Sequence, residues 1–363
     1  VLNDGRSEIV SCFTYYCNIG YLAESGGKIR AIVGNNSYGE YGAVARGYSQ
    51  LETPLTGNLR LDADTINSVQ SFSSNLHIFT SYRDEQGNLF VVGHTSPTAG
   101  DVTSTFDNTA SVPVVARYNS AGALQWGYSY TSGFGAIHNV VEQGDSIYVG
   151  GVIYDGSNKG LIIKLSKSGE IQWQKTIGNT TEIVDITTDT NYIYAVGNHT
   201  TAGTSVIKLN PAGIETWSRT LDYSGGSANT VKPSSVTFAG TPTTSVDTYE
   251  NNGDATAEGN LYISGNDSNT GNAIIWRVSQ VGNLVTTYEY PNLKINKLRL
   301  DTGNGDGIYL VAGGSYDPTG TATDHPLIFR INLQGVVQWQ TQLEGKAGAG
   351  ENGVIKDVLP FGN

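Results

Sequence analysis

Short apolar runs, separated by glycine and small polar residues, set the pattern of this chain. Ile147 to Val149 is a nearly continuous apolar run, and Leu161 to Leu165 is another that carries Lys164 near its end. Such runs predict strands buried on both faces, with the lysine stem lying along the strand and its ammonium reaching the edge. Gly169-Glu-Ile-Gln-Trp173 alternates instead, which predicts an outer, half-exposed strand with Ile171 and Trp173 inward and Gln172 and Gln174 in water. No segment sustains a 3.6-residue apolar period, whereas β-branched and aromatic residues crowd the short runs. The fold class read from this pattern is all-β.

The pattern recurs. Asp145-Ser-Ile-Tyr-Val-Gly-Gly151, Gly160-Leu-Ile-Ile-Lys-Leu165 and Ser168-Gly-Glu-Ile-Gln-Trp173 return as Asn191–Gly197, Thr204–Leu209 and Ala212–Trp217. Further copies run from Gly87 to Trp126, from Gly259 to Thr286 and from Gly307 to Trp339. The anchoring glycines Gly122, Gly169, Gly213, Gly282 and Gly335 are spaced by 47, 44, 69 and 53 residues. A core period near 45 with insertions is that of a propeller blade. A further strand precedes each copy, as in Glu182–Ile186 or His138–Glu142, and is expected innermost, lining the channel. The hairpin glycines supply positive φ and account for much of the 46 in the chain.

Lys28–Gly34 and Gly42–Arg46 match the second and third strands of a blade, and Leu59–Leu61 the fourth, without an innermost strand upstream. Gly353–Leu359 reads as an innermost strand with no blade after it. Pairing these terminal strands would close a ring of four-stranded antiparallel blades, six in number, or seven if residues 8–17 contribute to another. Closure removes exposed sheet edges. The domain reading is an N-terminal segment, 1–27, packing on or completing the propeller, and a single propeller over 28–363.

Composition narrows the function classes. The net charge is −12, from 33 acidic against 21 basic residues, which opposes non-specific nucleic-acid binding. No stretch of about 18 apolar residues predicts membrane insertion. Val1-Leu2-Asn3-Asp4-Gly5 lacks the regions of a signal peptide, and a trimmed or processed start is expected. Cys12 and Cys17 read as buried thiols, or as a pair bridging a tight hairpin.

The units of residues 87–339, about 70% of the chain, resemble the bacterial SBBP-type propeller repeats and their pyrroloquinoline-quinone-like relatives. The resemblance lies in Gly-Asn-aromatic-Val-x-Gly, an apolar run ending in Lys, and Gly-x-x-x-Trp. It implies a propeller used in a secreted, cell-surface or phage-associated protein. It implies no cofactor, because nothing marks an adjacent-cysteine disulfide or a tryptophan stacked on a quinone.

Loops joining second to third strands share one face with the inter-blade segments. That face is rich in Asn, Ser, Thr and aromatic residues: Tyr38, Tyr41, Tyr128, Tyr130, Phe134, Tyr154, Tyr223, Tyr288, Tyr290 and Tyr316. Aromatic rings beside amides and hydroxyls suit sugar rings and protein interfaces alike. Asp301, Asn304 and Asp306 form a calcium candidate in Asn304-Gly-Asp306-Gly307, although Ala312 stands where an EF-hand would carry its bidentate Glu. His77, His94, His138, His199 and His325 show no metal spacing, and no Gly-x-Ser-x-Gly elbow occurs. Glu142 and Asp185 lie on innermost strands and could meet at the channel. The expectation is a non-enzymatic structural or recognition module of a virion or extracellular assembly, binding protein subunits or surface glycans. The alternative is an extracellular carbohydrate-active enzyme, hydrolase or lyase, with its site at the channel mouth.

Overall fold

The computed structural model describes residues 6–10, 13–16, 19–23, 28–32, 35–37, 41–45, 76–95, 110–129, 134–201, 203–223, 231–240, 259–302, 308–317, 324–342 and 353–360. Every regular element among them is a β-strand. The chain divides into two compact units, 1–62 with 345–348 and 63–344 with 349–363.

The first unit holds β1 (Arg6–Val10), β2 (Phe13–Tyr15), β3 (Ile19–Ala23), β4 (Lys28–Ile32), β5 (Asn35–Ser37) and β6 (Tyr41–Ala45). They pair in parallel, β1 with β4, β2 with β5 and β3 with β6, always at an offset of 22 residues. β1, β2 and β3 thus pair in one common register with β4, β5 and β6. Arg30 lies opposite Glu8 at 3.7 Å, an exposed ion pair of small energetic weight. This corrects the blade expected over 28–46. Among the described residues β4 and β6 do not pair with each other; each pairs with a strand 22 residues upstream. A strand of five residues suits either partner, so local pattern does not choose between them. Leu59–Leu61, Cys12 and Cys17 lie outside the described residues.

The second unit is a β-propeller. Its first blade comprises β7 (Leu76–Arg83), β8 (Leu89–Thr95), β9 (Val112–Tyr118) and β10 (Leu124–Ser129); the second β11 (Phe134–Gln143), β12 (Ser146–Tyr154), β13 (Asn158–Ser166) and β14 (Ile171–Ile177). The third holds β15 (Thr180–Thr188), β16 (Ile193–His199), β17 (Thr204–Leu209) and β18 (Glu215–Leu221); the fourth β19 (Val231–Ala239), β20 (Asn260–Asp267), β21 (Ala273–Ser279) and β22 (Leu284–Tyr290). The fifth holds β23 (Leu293–Asp301), β24 (Tyr309–Tyr316), β25 (His325–Asn332) and β26 (Val337–Gln342). Each is a four-stranded antiparallel meander, as expected.

The continuous apolar runs follow from burial on both faces. Ile147 and Val149 of β12 join a cluster with Phe90 and Val92 of the first blade. Tyr148, between them, joins one with Ile193 and Ile207 of the third. Outer strands are more exposed than the alternation predicted: Ile171 is 48% exposed and not inward.

A repeated tie joins neighbouring blades. The Trp126 indole N–H donates to the Lys167 carbonyl at 3.1 Å, Trp173 to Pro211 at 3.0 Å and Trp217 to Gln280 at 2.9 Å. In the fourth blade Tyr288 takes the tryptophan's place, its hydroxyl donating to Leu333 at 3.1 Å. Basic residues on the third strands reinforce the tie: Arg117, Lys164 and Lys208 donate to the same three carbonyls. Each acceptor stands two residues before a turn glycine. At Gly213, φ is +79° and a Cβ would come within 3.1 Å of the Trp173 ring, so both conformation and close approach call for glycine. This is what the Gly-x-x-x-Trp pattern does. Trp339 has no such recipient among the described residues and is 43% exposed. The 353–360 segment lies against the fifth blade, Ile355 N–H donating to Gly314 at 3.0 Å. Ile355 and Val358 face Gly313 as Ile183 and Ile186 face Gly150 at the junction of the second and third blades.

Candidate functional site in the central channel

Each inner strand carries a register shift at the same place. The skipped residues are Phe79, His138, Val184, Ser234 and Asn296. A bulge adds one residue on one strand and re-aims its side chain. All five line a cavity of about 480 Å³, joined by Lys356 from the 353–360 segment. The bulge also explains a second set of glycines. A Cβ at Gly151 would fall on the Ala136 carbonyl, and one at Gly197 on that of Glu182. These glycines permit close backbone approach at negative φ, a role distinct from the turns expected from sequence.

The residue after the bulge binds the blades together. Asp185 is 1% exposed. Its carboxylate accepts from Lys297 Nζ at 2.8 Å, Ser235 Oγ at 2.6 Å, Val236 N–H at 2.9 Å and Asn139 Nδ2. One buried carboxylate so ties the inner strands of four successive blades, with its charge paired and its lone pairs filled. Glu142 takes other partners. It accepts from Lys167 Nζ at 2.6 Å, and its charge, after burial, helps raise the pKa of the nearby Tyr82 hydroxyl to about 12. The suggested meeting of Glu142 and Asp185 does not appear among these contacts.

The cavity wall keeps groups less committed. His138 Nδ1 donates to the Ile183 carbonyl at 3.0 Å, and burial pushes its pKa down against the pull of Glu182. Glu182 is oriented by Asn198 Nδ2. Asn296 Nδ2 donates to Ile355 at 2.8 Å. Arg299 pairs with Asp357 at 3.2 Å. Glu182 lies near the start of β15 and Asn266 near the end of β20. The cavity therefore extends toward the strand ends that carry the inter-blade segments and second-to-third loops.

Sequence spacing missed a histidine cluster. His77 and His94 are cross-strand partners, with ring centroids 5.2 Å apart. Phe79 touches both, and His138 at 4.9 Å. His94 is 1% exposed with Nδ1 unpartnered, and burial beside two imidazoles lowers its pKa to about 4. The signal was the period-2 spacing of His77 and Phe79 opposite His94. Among the described residues no group of three or more His, Cys, Asp or Glu is arranged to hold a metal.

The aromatic candidates scatter in role. Tyr128 is 44% exposed, 5.6 Å from the Trp126 ring, and Phe134, 39% exposed, faces Tyr154 across β11 and β12. Tyr223 donates to Glu289 at 2.5 Å. Tyr288 and Tyr290 are spent on the junction with the fifth blade, Tyr290 donating to Gly335 at 2.8 Å, and burial pushes its pKa up. Tyr316 packs against the fifth blade's core. Tyr38 and Tyr130 lie outside the described residues, as does the Tyr41 side chain. Of the calcium candidate, Asn304 and Asp306 lie outside them too, and Asp301 is engaged by Arg330 at 3.1 Å.

No family model matches the chain, and no characterised protein sequence matches it significantly. Among solved structures it is similar to Kuenenia stuttgartiensis hydrazine synthase, at 10% identity and a TM-score of 0.50, over 76% of this chain and 67% of that one. A eukaryotic initiation factor structure aligns at 10% identity and a TM-score of 0.39, over 75% of this chain and 56% of that one. The first likeness is one of fold alone.

Proposed function

We propose that this chain is a non-enzymatic β-propeller recognition module of a virion or extracellular assembly, binding glycan or protein partners on the face toward which the channel cavity extends. The observation that carries this reading is the division of labour at the axis. Asp185, Asn139, Ser235 and Lys297 are consumed in holding blades together. The cavity beside them keeps side-chain atoms for a ligand. Exposed Tyr128 and Phe134 add aromatic surface. The repeat residues support kinship with SBBP-type propellers. Ile355 and Val358, seated as an inner strand would be, support closure of the ring by the C-terminal segment.

Binding to an array of glycans and polysaccharides, followed by product analysis, tests the reading. Saturable binding without turnover is expected; release of reducing ends from a polysaccharide would overturn the non-enzymatic role. Glu182 beside His138 in the cavity wall favours the second reading, a carbohydrate-active enzyme, whose turnover Glu182→Gln would abolish.

A further inference from the structure

The cavity's unspent hydrogen-bonding atoms define the ligand it fits. With His138 Nδ1 donating to Ile183, the neutral ring leaves a lone pair on Nε2. Burial favours that neutral form. Glu182 uses one carboxylate oxygen on Asn198, and Asn296 uses only its amide nitrogen. Lys356 has no partner among the described residues. Three acceptors thus stand beside the Lys356 ammonium and the Thr80 hydroxyl, with the Phe79 ring and Val184 as apolar wall.

The charges balance. Glu182 offsets Lys356, Asp185 is paired with Lys297 and Asp357 with Arg299. An anionic ligand would meet Glu182 and two neutral acceptors, and a cationic one would meet Lys356. The volume, about 480 Å³, falls within the range of about 300–1,000 Å³ usual for small-molecule sites.

Resting on the recognition reading, we propose that this cavity binds a neutral, hydroxyl-rich ligand, a pyranose unit of a glycan. Its hydroxyls donate to His138 Nε2, Glu182 Oε2 and Asn296 Oδ1, one accepts from Lys356 Nζ, and an apolar ring face lies on Phe79. The site is distinct from the tyrosine-rich loops.

The test is saturation-transfer difference NMR on the full chain. The probes are glucose, galactose, mannose, N-acetylglucosamine and lactose, with glucuronate and glucosamine as charged controls. At least one neutral sugar is expected to saturate, and both charged controls to bind at least about tenfold more weakly. Lys356→Ala and Glu182→Gln, each checked for an unchanged melting temperature, are expected to weaken the neutral sugar about tenfold. Failure of every neutral sugar to saturate would overturn the site; the loop-face and protein-binding reading would then be decided by the glycan array. Binding that survives both channel variants but is lost in Tyr128→Ala or Phe134→Ala would also overturn it, while sustaining glycan recognition.

Discussion

Replacing Asp185 by alanine removes the one acceptor that four blades share. The carboxylate is 1% exposed and its Lys297 partner only 10% exposed at the side chain, so water cannot take its place. Breaking a buried pair by deleting one partner costs about 3–5 kcal/mol, because the remaining charge stays buried and unpaired. The orphaned Ser235 hydroxyl, Val236 amide and Asn139 amide add to this, at about 1–3 kcal/mol each where no water enters. These penalties overlap, and a loss of about 4–6 kcal/mol is expected. That is a large part of a typical folding stability of about 5–15 kcal/mol. Urea unfolding followed by tryptophan fluorescence reads the loss directly, since Trp126, Trp173 and Trp217 sit at blade junctions. Asp185→Leu combined with Lys297→Met removes both charges and should recover at least about 2 kcal/mol relative to Asp185→Leu alone. A single-variant loss below about 1 kcal/mol, or a double variant no more stable than Asp185→Leu, would refute the view that this pair ties the inner strands.

The interblade ties give a graded series. Trp173→Ala should cost about 2–4 kcal/mol, by loss of packing on Gly213 and of the bond to Pro211, whereas Trp339→Ala, at 43% exposure, should cost under about 1 kcal/mol; melting temperatures of the two variants check the contrast. Gly213→Ala should destabilise by about 1–2 kcal/mol, since φ is +79° and Trp173 blocks the new methyl; equal stability to the parent in the same melt would contradict it. His94 titrates near 4 when folded and near 6.5 when unfolded, so between those values the unfolded chain binds the extra proton. Its contribution is therefore complete above about pH 6.5 and falls by about 3 kcal/mol as pH drops to 4. His94→Phe should flatten this part of the stability–pH curve, and an unchanged slope would remove His94 as its source.

The blade pattern was readable because a sheet covered on both faces demands unbroken apolar runs, and a meander demands turn glycines at fixed places. Ile147–Val149, Leu161–Leu165 and the turn before Gly169 carry that information locally. The same logic misled over residues 28–46, where strands of three to five residues carry no mark of their partner, and the structure pairs them in parallel at an offset of 22. The candidate site was less legible. A bulge is one extra residue whose effect appears only when a neighbouring strand fixes the register, so nothing in Ile137-His138-Asn139 marks His138 as channel-facing. Asp185 and Lys297 are 112 residues apart, and His77 meets His138 only across two blades through Phe79. Local pattern determined the strands and their repeat, because strand burial and turn geometry act over a few residues. The tertiary structure alone decided which side chains converge on the axis, because that depends on register and on the stacking of blade upon blade.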